Sequence, residues 1–97
     1  MAQFDVHRLG GALVVDCQSN LLDHLNTRLV VPLMVRDRAP APAERLNPLF
    51  AIGGVDHVMV TQFATAVERR ELGAPVASLA DRSFEIVGAL DVLISGV

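Results

Sequence analysis

Lysine, tryptophan and tyrosine are absent from this sequence, and cysteine occurs once, at Cys17. A lone cysteine excludes an internal disulfide and supplies no cysteine pair for zinc, which fits a reducing compartment. No apolar run approaches the roughly 20 residues needed to span a bilayer. The longest such segment, near the C-terminus, is interrupted by Glu85 and Asp91. Nor does any stretch carry the successive charged, apolar and small-residue zones of a secretory signal. The expectation is a cytoplasmic protein with no membrane contact. Basic residues number 8, all arginine, against 11 acidic ones, for a net charge of −3. Direct binding to DNA or RNA needs clustered cations to neutralise phosphates, so any nucleic-acid role should pass through another protein.

What is present is aliphatic. Of 97 residues, 52% are hydrophobic, mostly Val, Leu, Ile and Ala, with Phe4, Phe50, Phe63 and Phe84 the only aromatics. The length suits one domain, residues 1–97. So short a chain buries a modest share of its surface. The aliphatic surplus therefore implies a second buried surface, and a homodimer interface is the simplest one.

The pattern along the chain is mainly that of strands. Gln3 to Leu9 alternates, with Phe4 and Val6 on one face, and Gly10-Gly11 breaks the run as a hairpin turn would. Ala12 to Asp16 reads as the partner strand and Cys17 to Asn26 as a loop. Arg28 to Arg36 reads as a buried strand in which Pro32 marks an edge or a bulge, because proline lacks the ladder donor. Arg38 to Glu44 reads as extended or mobile low-complexity chain. Leu49 to Ile52, Gly53-Gly54 and His57 to Phe63 form a second hairpin. Ala64 to Gly73 reads as irregular and charged, and Pro75 to Leu79 as a last short strand. The period then changes: Phe84, Ile86, Val87, Leu90, Leu93 and Ile94 recur at spacings of three and four. Asp81 stands where an N-cap belongs, Glu85 in the first turn, and Gly96 at a C-terminal cap, giving a helix of about four turns. The expected fold is a small antiparallel sheet or barrel, mainly β, closed by a C-terminal helix.

Reactive constellations are sparse. His7, His24 and His57 have no metal-ligand spacing, and neither a metal nor any other cofactor is expected. Cys17, following Val-Val-Asp, reads as a small buried hydrophobe ahead of a nucleophile. No serine sits in a nucleophile elbow, and neither glycine pair precedes the Lys-Ser/Thr of a phosphate loop. Arg28 with Thr27 or Thr61 is the one pairing that suits phosphodiester cleavage, arginine stabilising charge and a hydroxyl assisting. The plainer reading of these three is an arginine at a strand start and threonines on strand faces. Two apolar features stand out instead. Leu21-Leu22 lies in a polar loop, and Leu93-Ile94-Ser95-Gly96-Val97 ends the helix without a polar tail. Both suit a surface covered by a partner.

Taken in order, several segments resemble the CcdB family of toxins. They are Met-Ala-Gln-Phe-Asp-Val at the start, Val15-Asp16-Cys17-Gln18-Ser19-Asn20-Leu21-Leu22-Asp23, and Arg28-Leu29-Val30-Val31-Pro32-Leu33. Leu46-Asn47-Pro48, Ile52-Gly53, Met59 with Thr61, and Glu85-Ile86, Ala89-Leu90-Asp91 and Gly96 continue the match. Each motif is weak alone; their collinearity over the whole chain carries the resemblance. It implies an SH3-like small barrel with a C-terminal helix, shared with the MazF endoribonucleases, and a homodimer. It also implies a non-enzymatic poison that wedges into the A subunits of DNA gyrase and traps the enzyme on cleaved DNA. A CcdA-like, partly disordered antitoxin would neutralise it by folding onto the toxin. The gyrase-binding residues so implied are Asp91, Ile94, Ser95, Gly96 and Val97 with Leu21 and Leu22. The antitoxin-binding residues are Leu21, Leu22, Asp91 and Ile94. The family has tryptophan directly before that last glycine, and phenylalanine before the tryptophan; here these are Ser95 and Ile94. Loss of an aromatic anchor commonly costs ~2 kcal/mol or more, so the resemblance implies a weaker contact or one rebuilt around Ile94 and Val97. Two other readings stand beside it: a MazF-like endoribonuclease using Arg28, and a non-toxic protein that retains only antitoxin binding.

Overall fold

Alternation of apolar residues along successive short segments builds the molecule, whose computed structural model describes residues 2–96. Seven strands form: β1 (Asp5–Leu9), β2 (Ala12–Asp16), β3 (Thr27–Val35), β4 (Leu49–Ile52), β5 (Val55–Met59), β6 (Thr65–Glu68) and β7 (Pro75–Ser78). Helix α1 (Ser83–Ser95) follows. The strands make one antiparallel sheet in the order β4-β5-β3-β2-β1-β7, with β6 also paired to β3. The sheet curls into a half-barrel, so the mainly-β fold with a C-terminal helix is as the sequence implies. No described helix is long and apolar enough to cross a membrane.

Strand β3 is the spine. One edge pairs along its length with β2, from Leu13 opposite Leu33 to Asp16 opposite Val30. Its other edge is shared: Thr27–Val30 pairs with β6 and Leu33–Val35 with β5. Pro32 sits at the changeover. It is therefore in a central strand, neither at an edge nor in a bulge. Its carbonyl accepts from the Val60 N–H at 3.0 Å. A strand residue's N–H and C=O point to the same side. The missing proline donor thus faces the gap between β6 and β5, where no ladder partner waits.

Because successive side chains leave a strand on opposite faces, the sheet has two interiors. One face carries Val6, Val15, Cys17, Val31, Leu33, Phe50, Ile52 and Met59, and α1 lays Ile86 and Ala89 onto it. The other carries Val14 and Val30, covered by Leu72 with Leu9 and Val67. That cover is the segment expected to be irregular. It contains β6 and a 3-10 turn at Arg69–Glu71, because Thr65–Glu68 finds an open edge on β3.

Other boundaries shift for local reasons. β1 begins at Asp5, because Phe4 is left-handed (φ 71°) and its N–H reaches the Asp16 carbonyl at 2.6 Å. A bulky residue there is strained, and the ring is held by burial in the main core. β5 ends at Met59, where Thr61–Phe63 turns as a 3-10 helix. Gly53 and Gly54 both have positive φ (61° and 78°), which a two-residue hairpin turn requires and glycine permits. Asp81 is not the N-cap of α1. It lies in a 3-10 turn, Ala80–Arg82, and the helix starts at Ser83 with Arg82 at the cap position. Arg82 braces this start, its guanidinium carbon 4.8 Å from the Phe50 ring centroid and its Nη2 donating to Glu85 at 2.8 Å. Gly96 closes α1 in the left-handed conformation (φ 76°), its N–H on the Val92 carbonyl at 2.9 Å.

Ile86 is fully buried where helix meets sheet. Ile86→Ala is expected to cost about 2–5 kcal/mol, the usual range for a large aliphatic truncated to alanine in a core. Urea unfolding should show this as a lower midpoint at unchanged slope.

Candidate docking surface

The loop between β2 and β3 is organised by charge. Asp16 ends β2 and Arg28 lies near the start of β3, and both side chains are fully buried. Arg28 Nε donates to Asp16 Oδ2 at 2.9 Å, and Nη2 lies 2.6 Å from the same oxygen. Asp16 Oδ1 accepts from the Gln18 N–H at 3.0 Å. A second carboxylate joins the first: Nη1 donates to Asp23 Oδ1 at 2.8 Å. Arg69, in the turn after β6, donates from Nη1 to the Asp23 carbonyl at 2.6 Å and from Nη2 to both carboxylate oxygens at 3.4 Å. Desolvation works against the charge on Asp23. The Arg69 and Arg28 guanidiniums overcome it and hold the carboxyl below its usual range.

Between these anchors, Asn20–Leu22 forms a 3-10 turn. Ser19 Oγ accepts from the Leu21 N–H, Gln18 Nε2 donates to the Leu22 carbonyl at 3.0 Å, and the Gln3 N–H donates to Asn20 Oδ1 at 2.9 Å. With the backbone thus bonded inward, Leu21 and Leu22 project outward, 88% and 45% exposed.

The last turns of α1 present a second apolar edge. Ile94 is 82% exposed and Leu93 is 43% exposed. Asp91 is exposed and its carbonyl accepts from Ser95 Oγ at 2.6 Å, so the serine hydroxyl folds back on its own helix. Gly96 caps the helix; Val97 lies outside the described residues. Five of the residues expected to bind partners, Leu21, Leu22, Asp91, Ile94 and Ser95, are therefore on the surface, as is Gly96. The leucine pair and the helix end belong to separate elements, the second joined to the main core through Ile86 and Ala89.

The arginine–hydroxyl pairing for phosphodiester cleavage is not assembled. Arg28 is fully buried and occupied by two carboxylates, and Thr61 is fully buried with its hydroxyl donating to the Leu46 carbonyl at 2.5 Å. Thr27, adjacent to Arg28 on the strand, leaves from the opposite face. Cys17 is buried, and desolvation, with the Asp16 charge adding, pushes its thiol up to about 12. His7 and His57 are buried, with Nδ1 on the carbonyls of Gly73 (2.7 Å) and Val55 (2.8 Å). Among the described residues no group of His, Cys, Asp or Glu is placed to hold a metal ion.

Sequence reasoning missed Asp16, Asp23 and Arg69. The signal for the first was available: an aspartate ending a run of valines, matched by an arginine opening the next buried strand. Nothing in the sequence pointed Arg69 at residue 23, which is 46 positions away.

A family model described as CcdB protein matches residues 3–96. No match was found among curated proteins.

Asp16→Asn or Arg28→Met strands a buried charge, and each is expected to lose about 3–5 kcal/mol in urea unfolding. Asp23 titrates below its ordinary value of 3.8 in the folded chain. Its contribution is therefore complete above about pH 4 and is lost as pH falls through the lower folded value. The urea midpoint of Asp23→Asn should accordingly decline less than that of the wild type on acidification below pH 4. The Cys17 thiol should resist a thiol reagent at neutral pH until the chain is unfolded.

Proposed function

Since the chain belongs to the CcdB family, we propose that it is the toxin of a type II toxin–antitoxin pair that, as a homodimer, binds and poisons the A subunit of DNA gyrase. The observation that carries this reading is the exposure of Leu21 at 88% and Ile94 at 82%. Each adjoins an exposed leucine, Leu22 and Leu93 respectively, and covering such apolar area with a partner is favourable. Further exposed apolar residues, among them Leu29, Phe63 and Leu93, leave surface for a second copy as well.

Ser95 offers little to an apolar interface, since its hydroxyl is satisfied by Asp91. The anchor passes to Ile94, which is one residue earlier and well exposed. An aliphatic anchor is smaller than an aromatic one, so the contact is expected to be weaker than one centred on tryptophan. The same patch suits a disordered antitoxin arm, which gains affinity by wrapping apolar surface as it folds. On this reading antitoxin and gyrase compete for Leu21, Leu22, Asp91 and Ile94. The endoribonuclease reading loses its support with Arg28 and Thr61 enclosed.

The test is capture of the gyrase A subunit by the purified protein, with a DNA-cleavage assay and growth on overexpression. Wild type should bind at micromolar concentration and accumulate cleaved DNA. Ile94→Asp and Leu21→Asp should each weaken binding at least tenfold at unchanged melting temperature, since both side chains lie in solvent. Wild type that fails to bind at that concentration overturns the proposal. Antitoxin binding without growth arrest would instead mark a non-toxic relative.

A further inference from the structure

The exposed leucines lie on a short turn that little apolar packing supports, because no residue of Asn20–Leu22 is buried. Its shape must come from polar ties. At its start these are neutral: the Gln3 N–H on Asn20 Oδ1 at 2.9 Å and the Leu21 N–H on Ser19 Oγ at 3.2 Å. At its end one neutral tie, Gln18 Nε2 on the Leu22 carbonyl at 3.0 Å, stands beside an ionic tie that is double. Asp23 meets Arg28, whose own position is set by the buried Asp16, at 2.8 Å, and Arg69 clasps the Asp23 carbonyl at 2.6 Å. One residue thereby joins the turn to β3 through Arg28 and to the turn after β6 through Arg69. Charge-assisted hydrogen bonds are roughly twice as strong as neutral ones, and a carboxylate held by two arginines has few alternative geometries.

We infer that Asp23 is a positioning residue for partner binding: clamped by Arg28 and Arg69, it fixes the Asn20–Leu22 turn so that Leu21 and Leu22 are presented already ordered. The inference rests on the docking role given above to the leucine pair. Ordering a loop before binding removes an entropic cost that would otherwise be met at the interface. Asp23 itself touches no partner in this scheme. It acts through the two residues before it, so its loss should loosen the turn while leaving the leucines intact. Arg69 is the accessible half of the clamp, 38% exposed, and can be removed without disturbing the buried Asp16–Arg28 pair.

The experiment measures backbone order by nitrogen-15 relaxation, and affinity for the gyrase A subunit, in wild type, Asp23→Asn, Asp23→Glu and Arg69→Gln. Wild type should show order parameters near about 0.85 over residues 20–25, and Asp23→Asn and Arg69→Gln should bring them below about 0.6 while β3 stays rigid. Binding should weaken about tenfold in the same two variants, and Asp23→Glu should recover most of it. A merely structural role would lower stability without this confined loss of order. A turn that stays rigid in Arg69→Gln and Asp23→Asn overturns the positioning role and leaves the gyrase reading intact. So does a loosened turn with unchanged affinity. Wild type that does not bind the A subunit overturns both.

Discussion

The buried ion pair of Asp16 and Arg28 is the constraint on which the rest of the molecule is arranged. It sits between the end of β2 and the start of β3 on the sheet's second face, with both side chains out of water. Removing two charges from water is costly, and only close geometry with every remaining lone pair and proton engaged offsets it. The structure goes most of the way by drawing the β2–β3 loop inward: Gln18 supplies an N–H to Asp16 and Asp23 a second carboxylate to Arg28, while Arg28 Nη2 faces Asp16 as an ion pair without an aligned hydrogen bond. The loop's path is thus a consequence of satisfying a buried guanidinium. An apolar pair of similar volume would remove that demand, and with it the reason for the loop to hold one shape.

The two faces of the sheet divide the work. The face under α1 holds the larger apolar core, from Phe4 and Val6 through Val31 and Met59 to Ile86 and Ala89. The opposite face combines a small apolar cluster with the charged network and is roofed by β6 and the turn after it. Helix α1 binds the sheet through Ile86 and Ala89, and its far end at Leu93 and Ile94 is left in solvent. Stability and the proposed docking therefore draw on different residues of the same helix. Substitutions at the exposed end can change binding without unfolding the chain.

Much of the architecture was legible. Alternation marked β1, apolar and β-branched content marked β2, glycine pairs marked both hairpins, and the change to a period of three and four marked α1, with Gly96 at its cap. The errors have physical causes. β6 was missed because Thr65–Glu68 carries one half-buried residue, Val67, and becomes a strand only by meeting an edge of β3. Pro32 was assigned to an edge or a bulge because proximity in sequence does not reveal that two partners divide one edge of β3. Asp81 was taken for the cap because an acidic residue ahead of an apolar period is the usual signal. The 3-10 turn moved the cap from Asp81 to Arg82 and the helix start one residue on.

From sequence alone, then, came the classes of element, the collinear resemblance, and Leu21, Leu22 and Ile94 as apolar residues set apart from the core. These are local quantities, fixed by side-chain size and by periods of two and 3.6 that any short window contains. Tertiary structure divided the periodic apolar residues of α1, Ile86 inward and Phe84 and Ile94 into solvent, and decided which polar residues would be enclosed. Arg28, read along the chain as a candidate reactive group, became a sealed structural charge, and its partner Asp23 also meets Arg69, which arrives from a distant segment. Burial and ion pairing depend on which segments meet in space, and that information is distributed over the whole chain, not contained in any window of it.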